Sequence, residues 1–110
     1  MASQSASQRK AGADPVKADP KHYKVEFENE KVRVLRINYG PNEKSEMHAH
    51  PDSVAIFLTD NHRSRHTYPD GKSEELSGRA GEVRYMEAWE HNPENLTDKP
   101  FEVILVELKG

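Results

Sequence analysis

Met47-His48-Ala49-His50-Pro51-Asp52 reads as a short strand that runs into a turn. Residues two apart on a strand project to the same face, so the His48 and His50 rings stand side by side while Pro51 turns the chain. Two imidazoles so placed can share one metal ion if a third ligand arrives from a neighbouring strand, and His91, with Asn95 close behind it, is the natural third.

Around this stretch the chain is a succession of short apolar or alternating segments separated by turn residues, the pattern of an all-β sandwich or barrel. The segments Tyr23 to Phe27, Val32 to Tyr39, Met47 to His50, Ser53 to Leu58, Arg65 to Tyr68, Glu82 to Met86 and Phe101 to Leu108 are the expected strands. No helix of useful length is expected. Pro69-Asp70-Gly71 is the sharpest turn: Pro presets φ at the first corner and Gly accepts the positive φ that closes a hairpin. Phe101 to Leu108 is apolar on both faces for most of its length, which places it either centrally in the fold or in a subunit interface.

The 110 residues amount to one domain. Residues 1–20, rich in Ala, Ser, Gln, Lys and Asp, are expected to be a disordered tail, leaving residues 21–110 as the folded domain. A domain of that size buries roughly 60 to 65% of its unfolded surface, and association into a homodimer is expected to help it. With no cysteine, a metal here would be held by nitrogen and oxygen alone. The 16 Lys and Arg are dispersed among 19 Asp and Glu, for a net charge of −3, and no basic stripe suggests nucleic acid. No segment approaches the length of a membrane span and the start lacks the apolar run of a secretory signal, so a cytoplasmic location without membrane contact is the expectation.

Gly40-Pro41, Met47 to Asp52, Tyr68 to Lys72, Gly81-Glu82-Val83 and Glu87-Ala88-Trp89-Glu90-His91 with Asn95 together resemble the single-domain cupins, from about Lys21 to Lys109. The resemblance implies a double-stranded β-helix (cupin or jelly-roll barrel). It implies His48 and His50 in the first motif, and Gly81, His91 and Asn95 at the places of the second. Two departures stand out. Glu87 and Trp89 occupy positions where the family has Pro and Gly, and the carboxylate of the first motif would fall at Val54 or Ala55, neither of which binds metal. The pattern is similar to the three-His set of cupin dioxygenases, while the superfamily as a whole also holds isomerases, lyases and non-catalytic binders of small molecules.

Three neutral imidazoles leave the full +2 charge on a divalent ion, where a site with a carboxylate would leave about +1. Such a centre favours an anionic chelating organic substrate, and with Fe(II) it suits a non-haem dioxygenase; Zn, Ni, Cu and Mn are compatible with the same donors. A metal-dependent isomerase or lyase and a non-catalytic cupin are the alternatives. Asp52 is the nearest alternative fourth ligand, although Pro-Asp is common turn chemistry. Asn95 either orients His91 or caps a turn. Glu87 and Glu90 bracket Trp89 beside His91 and are candidates for an acceptor behind a ligand, a fourth ligand or a general base, or for ordinary solvent-facing positions. Trp89 and Tyr85 are candidate pocket walls. An inward Arg65 or Arg84 would pair with an anionic substrate. His62 and His66, near the hairpin, are expected at the surface.

Overall fold

The computed structural model describes residues 12–110. Among these residues a helical turn, α1 (Pro15–Ala18), precedes nine strands: β1 (Tyr23–Glu28), β2 (Val32–Tyr39), β3 (His48–His50), β4 (Ser53–Phe57), β5 (His62–Thr67), β6 (Ser73–Gly78), β7 (Val83–Met86), β8 (Trp89–Asn95) and β9 (Phe101–Leu108). They form two antiparallel sheets, one in the order β1-β2-β9-β4-β7 and the other β3-β8-β5-β6. Each sheet turns one face inward, as strand alternation allows. The inward residues Leu35, Ile37 and Tyr39 of β2, Ala55 and Phe57 of β4, and Phe101, Val103 and Leu105 of β9 make the core with Tyr23. This is the expected all-β double-stranded barrel.

β9 lies between β2 and β4, so its apolar run is central in its sheet. Its burial alternates, with Phe101, Val103, Leu105 and Glu107 buried and their neighbours half-buried. The hairpin at Pro69-Asp70-Gly71 closes as its residues predict: Gly71 has φ +89°, its N–H donates to Tyr68 O, and Tyr68 N–H donates to Lys72 O.

Two strands are not foreseen from the sequence. β6 (Ser73–Gly78) is a polar edge strand paired only with β5, so it has no buried face strong enough to alternate. β8 (Trp89–Asn95) contains Pro93 between the polar Asn92 and Glu94, which argues against a strand unless β3 and β5 hold it on either side, as they do here. Residues 12–20 also depart from the expected tail. Asp14 caps α1 by accepting from Lys17 N, Pro15 and Asp19 are buried, and Ala49 N–H donates to Ala13 O beside β3. The remainder of that expected tail, residues 1–11, lies outside the described residues.

Candidate metal centre

β3 and β8 pair antiparallel with His48 directly opposite His91 and His50 opposite Trp89. His48 and His50 share a face by alternation, and the register brings His91 onto it from the neighbouring strand. The three rings stand nearly perpendicular to one another, with centroids 4.8 Å (His48 to His50), 4.9 Å (His48 to His91) and 5.2 Å (His50 to His91) apart. One nitrogen from each lies within 4.8 Å of the other two, and all three side chains are buried.

Each ring is oriented by a different neighbour on its Nδ1. His48 Nδ1 lies 2.7 Å from Glu46 O and 3.3 Å from Ser45 Oγ; Ser45 in turn donates to Asp19 Oδ2 at 2.6 Å. His50 Nδ1 lies 2.7 Å from Glu107 Oε2, whose other oxygen accepts from Arg33 Nε at 2.8 Å, and Arg33 Nη2 donates onward to Asp14 Oδ1 at 2.7 Å. His91 Nδ1 lies 2.9 Å from His66 Nδ1. The carbonyl behind His48 and the carboxylate behind His50 can only accept, so they place the hydrogen on Nδ1 and aim Nε2, whereas the His91–His66 contact can run in either direction. The outcome is visible in His48 Nε2 and His91 Nε2, which are buried and meet no hydrogen-bond partner among the described residues. A buried lone pair without a donor is costly unless a cation takes its place, so these donors fit a divalent metal.

Electrostatics point the same way. Burial first, and then the neighbouring His50, hold His48 down to about 3, and burial with the surrounding histidines holds His91 well below the ordinary imidazole range. Both rings are therefore neutral near pH 7 and need lose no proton to bind metal. Burial alone would raise the Glu107 carboxyl, but hydrogen bonds and charge from His50 and Arg33 outweigh it and bring it to about 2.

Among solved structures, a cupin-domain protein of Bordetella pertussis Tohama I superposes with a TM-score of 0.72 at 27% identity, covering 80% of this chain and 92% of that one. This chain has the cupin fold. A double-stranded β-helix protein of Klebsiella pneumoniae matches at TM-score 0.63 and 19% identity over 80% of this chain and 76% of its own length. A Bacillus subtilis oxalate decarboxylase variant matches at 0.56 and 22% over 73% of the present chain and 22% of the larger protein. No family model and no curated protein matches the sequence.

The remaining candidates separate clearly. Trp89 lines the cavity, its ring 4.1 Å from that of His91 and 4.9 Å from His66. Asn95 works as a clamp on the β8–β9 turn: its amide donates to Gly40 O and Lys99 O while its Oδ1 accepts from Thr97 N and Oγ1. Asp52 accepts from Ala88 N at 2.8 Å and so shapes the turn that enters β8, the turn where the family's Pro and Gly are replaced. Glu87 is exposed, Tyr85 is 58% exposed, and Glu90 pairs with Ala49 on the face opposite His91. Arg84 pairs with Glu82, and Arg65 with Glu75 and Glu94, both outside the cavity. His62 and His66, expected at the surface, are instead buried and line the cavity, because β5 begins earlier than its apolar pattern suggests and His62, Ser64 and His66 alternate inward. Glu107, His66 and Asp19 are the contributors that sequence reasoning missed. Only the presence of a carboxylate at an inward position of β9 could have signalled the first of them.

Proposed function

We propose that this cupin is a metal-dependent enzyme, a non-haem Fe(II) dioxygenase acting on a small anionic chelating organic molecule. The observation that carries the reading is the convergence of His48, His50 and His91, with two Nε2 atoms buried and unpartnered among the described residues. Iron held there by three imidazoles supplies a Lewis acid with open positions and redox chemistry.

The chain's own residues do the rest. Glu46 O, Glu107 and His66 orient the three donors from behind. No carboxylate stands among the donors, so the charge at the centre is left for an anionic ligand to neutralise. The adjoining cavity, about 60 Å³, is walled largely by apolar side chains including Ile37, Phe57, Met86, Trp89 and Leu105, and none of its lining residues is Lys or Arg. Space of that order suits a compact molecule, and the absence of a lining cation favours one anionic group on an otherwise apolar body.

Elemental analysis of protein purified without added metal, read beside oxygen uptake with diketones, thiols and hydroxyacids, tests the proposal. Iron and oxygen consumption are expected in the wild type and both are lost in His48→Ala; turnover that survives this substitution ends the idea. A lyase reading takes its support from the oxalate decarboxylase neighbour and predicts product formation without oxygen. The cavity offers a dianion such as oxalate no second positive partner, which ranks that reading lower. Ligand-dependent stabilisation without any turnover would identify a binding protein instead.

A further inference from the structure

Behind His91 runs an unbroken file of buried polar side chains on β8 and β5. His91 Nδ1 meets His66 Nδ1 at 2.9 Å, His66 Nε2 meets Ser64 Oγ at 2.8 Å, and Ser64 Oγ meets His62 Nε2 at 2.9 Å. His62 is wedged between Phe57 and Phe101, ring centroids 4.6 and 4.1 Å away, and its Nδ1 is buried with no hydrogen-bond partner among the described residues. All four side chains are at most 6% exposed, an environment that keeps the three rings uncharged.

A neutral imidazole carries one hydrogen and a hydroxyl carries one, and each of the three contacts needs one hydrogen between its two heavy atoms. Ser64 Oγ has no hydrogen-bond partner other than His62 and His66 among the described residues, so its hydrogen stays within the file, which then has only two self-consistent arrangements. In the first, His91 Nδ1–H donates to His66 Nδ1, His66 Nε2–H donates to Ser64, Ser64 O–H donates to His62 Nε2, and the hydrogen of His62 sits on Nδ1; His91 Nε2 is then a free lone pair. In the second every bond is reversed, and His91 Nε2 carries a hydrogen that blocks a metal. Passing from the second to the first moves one hydrogen across each of the three contacts, releases one from His91 Nε2 and takes one up at His62 Nδ1, with no change in total charge.

We propose that His66 and Ser64 are positioning residues that hold His91 in its metal-accepting tautomer, so that a cation on His91 dictates the tautomer of His62 three hydrogen bonds away. The inference rests on the metal reading above and adds a property of residues that no ion touches. It gives His91 a neutral acceptor where His50 has the charged Glu107, so the two rings differ in donor strength although both are imidazoles.

Long-range ¹H–¹⁵N spectra of the full chain, recorded with and without Zn(II) as a diamagnetic probe, test it. In Zn(II)-loaded wild type, His66 is expected to carry its hydrogen on Nε2 and His62 on Nδ1. In Ser64→Ala, Zn(II) still shifts His48, His50 and His91, but the tautomer of His62 is the same with and without the ion. His66→Phe is expected to weaken Zn(II) binding by roughly 10- to 100-fold. A loaded wild type with His62 protonated on Nε2, a Ser64→Ala protein whose His62 still follows the ion, or a His66→Phe protein of unchanged affinity overturns the relay while leaving the metal site standing. Zn(II) that moves none of His48, His50 and His91 overturns both.

Discussion

Glu107 shares the inward face of β9 with Phe101, Val103 and Leu105, and at 1% exposure it is as deeply buried as they are. A carboxylate survives there because it accepts from His50 and Arg33 at once. Replacing it with Gln keeps the shape and an acceptor but removes the charge that strengthens His50 as a donor. Glu107→Gln is expected to lower Zn(II) affinity by roughly 10- to 100-fold in a chelator competition, and an unchanged affinity would show that His50 is held by packing alone. The buried rings also set a pH dependence. His48, His62 and His66 are pushed down to about 3, 4 and 3, chiefly by burial, so below the ordinary imidazole value of 6.5 the unfolded chain binds protons that the folded one refuses. Their contribution is present above that value and is lost as pH falls, at up to about 1.4 kcal/mol per pH unit for each ring. The melting temperature of the metal-free protein should be flat near pH 7 to 8 and fall steeply from pH 6.5 to 4; a rise over that range would contradict the burial of these groups. At this scale the sequence exposes the ligands and conceals their supports. His-x-His declares a shared face by its spacing, whereas the orientation of Glu107 depends on which face of β9 turns inward, a matter decided by β2 and β4.

β6 approaches the core closely only because its last residue has no side chain. A Cβ on Gly78 would stand 1.8 Å from the Phe57 ring. Gly78→Ala must therefore push back either β6 or Phe57, and is expected to cost about 1 to 3 kcal/mol in denaturant unfolding. Phe57→Leu in the same chain should recover part of that loss, and strictly additive effects would place the clash elsewhere. Strands with a period-two apolar pattern, such as β2, β4 and β9, are legible from their residues. β6 and β8 are not, because their pairing is imposed by neighbours: β6 is polar and leans on β5, and β8 carries Pro93 between two partners. The approach to β8 was legible as an irregularity, since Glu87 and Trp89 break the family pattern, but its remedy, the Asp52 carboxylate receiving Ala88 N–H, is a contact between distant positions.

Over the whole molecule, the three donors come from β3 and β8 while their supports come from β9, β2, β5 and the segment around α1, so binding an ion ties both sheets together. Zn(II) at a hundred times its dissociation constant should add about 2.7 kcal/mol, which for a domain of this size raises the melting temperature by roughly 10 to 20 °C. No shift in calorimetry would argue against a site formed only in the folded state. The expected homodimer has a natural place to be sought. On the outward face of the larger sheet, Val54 stands opposite Tyr85 and Val106, and Ile56 opposite Val83 and Ile104. Val83 and Tyr85 are 59% and 58% exposed. If that face joins two copies, light scattering should report a dimer that Val83→Lys with Tyr85→Lys converts to monomers, the bound metal being retained.

His50 and its carboxylate partner are 57 positions apart, and the partner belongs to the last strand. During synthesis two of the nitrogen donors therefore emerge well before the third, and the anchoring acid arrives later still. An ion met early would find a loose pair of rings and exchange freely. A full set of donors therefore exists only once the polypeptide has closed upon itself, so any choice among ions would fall to the finished cage and not to the growing chain.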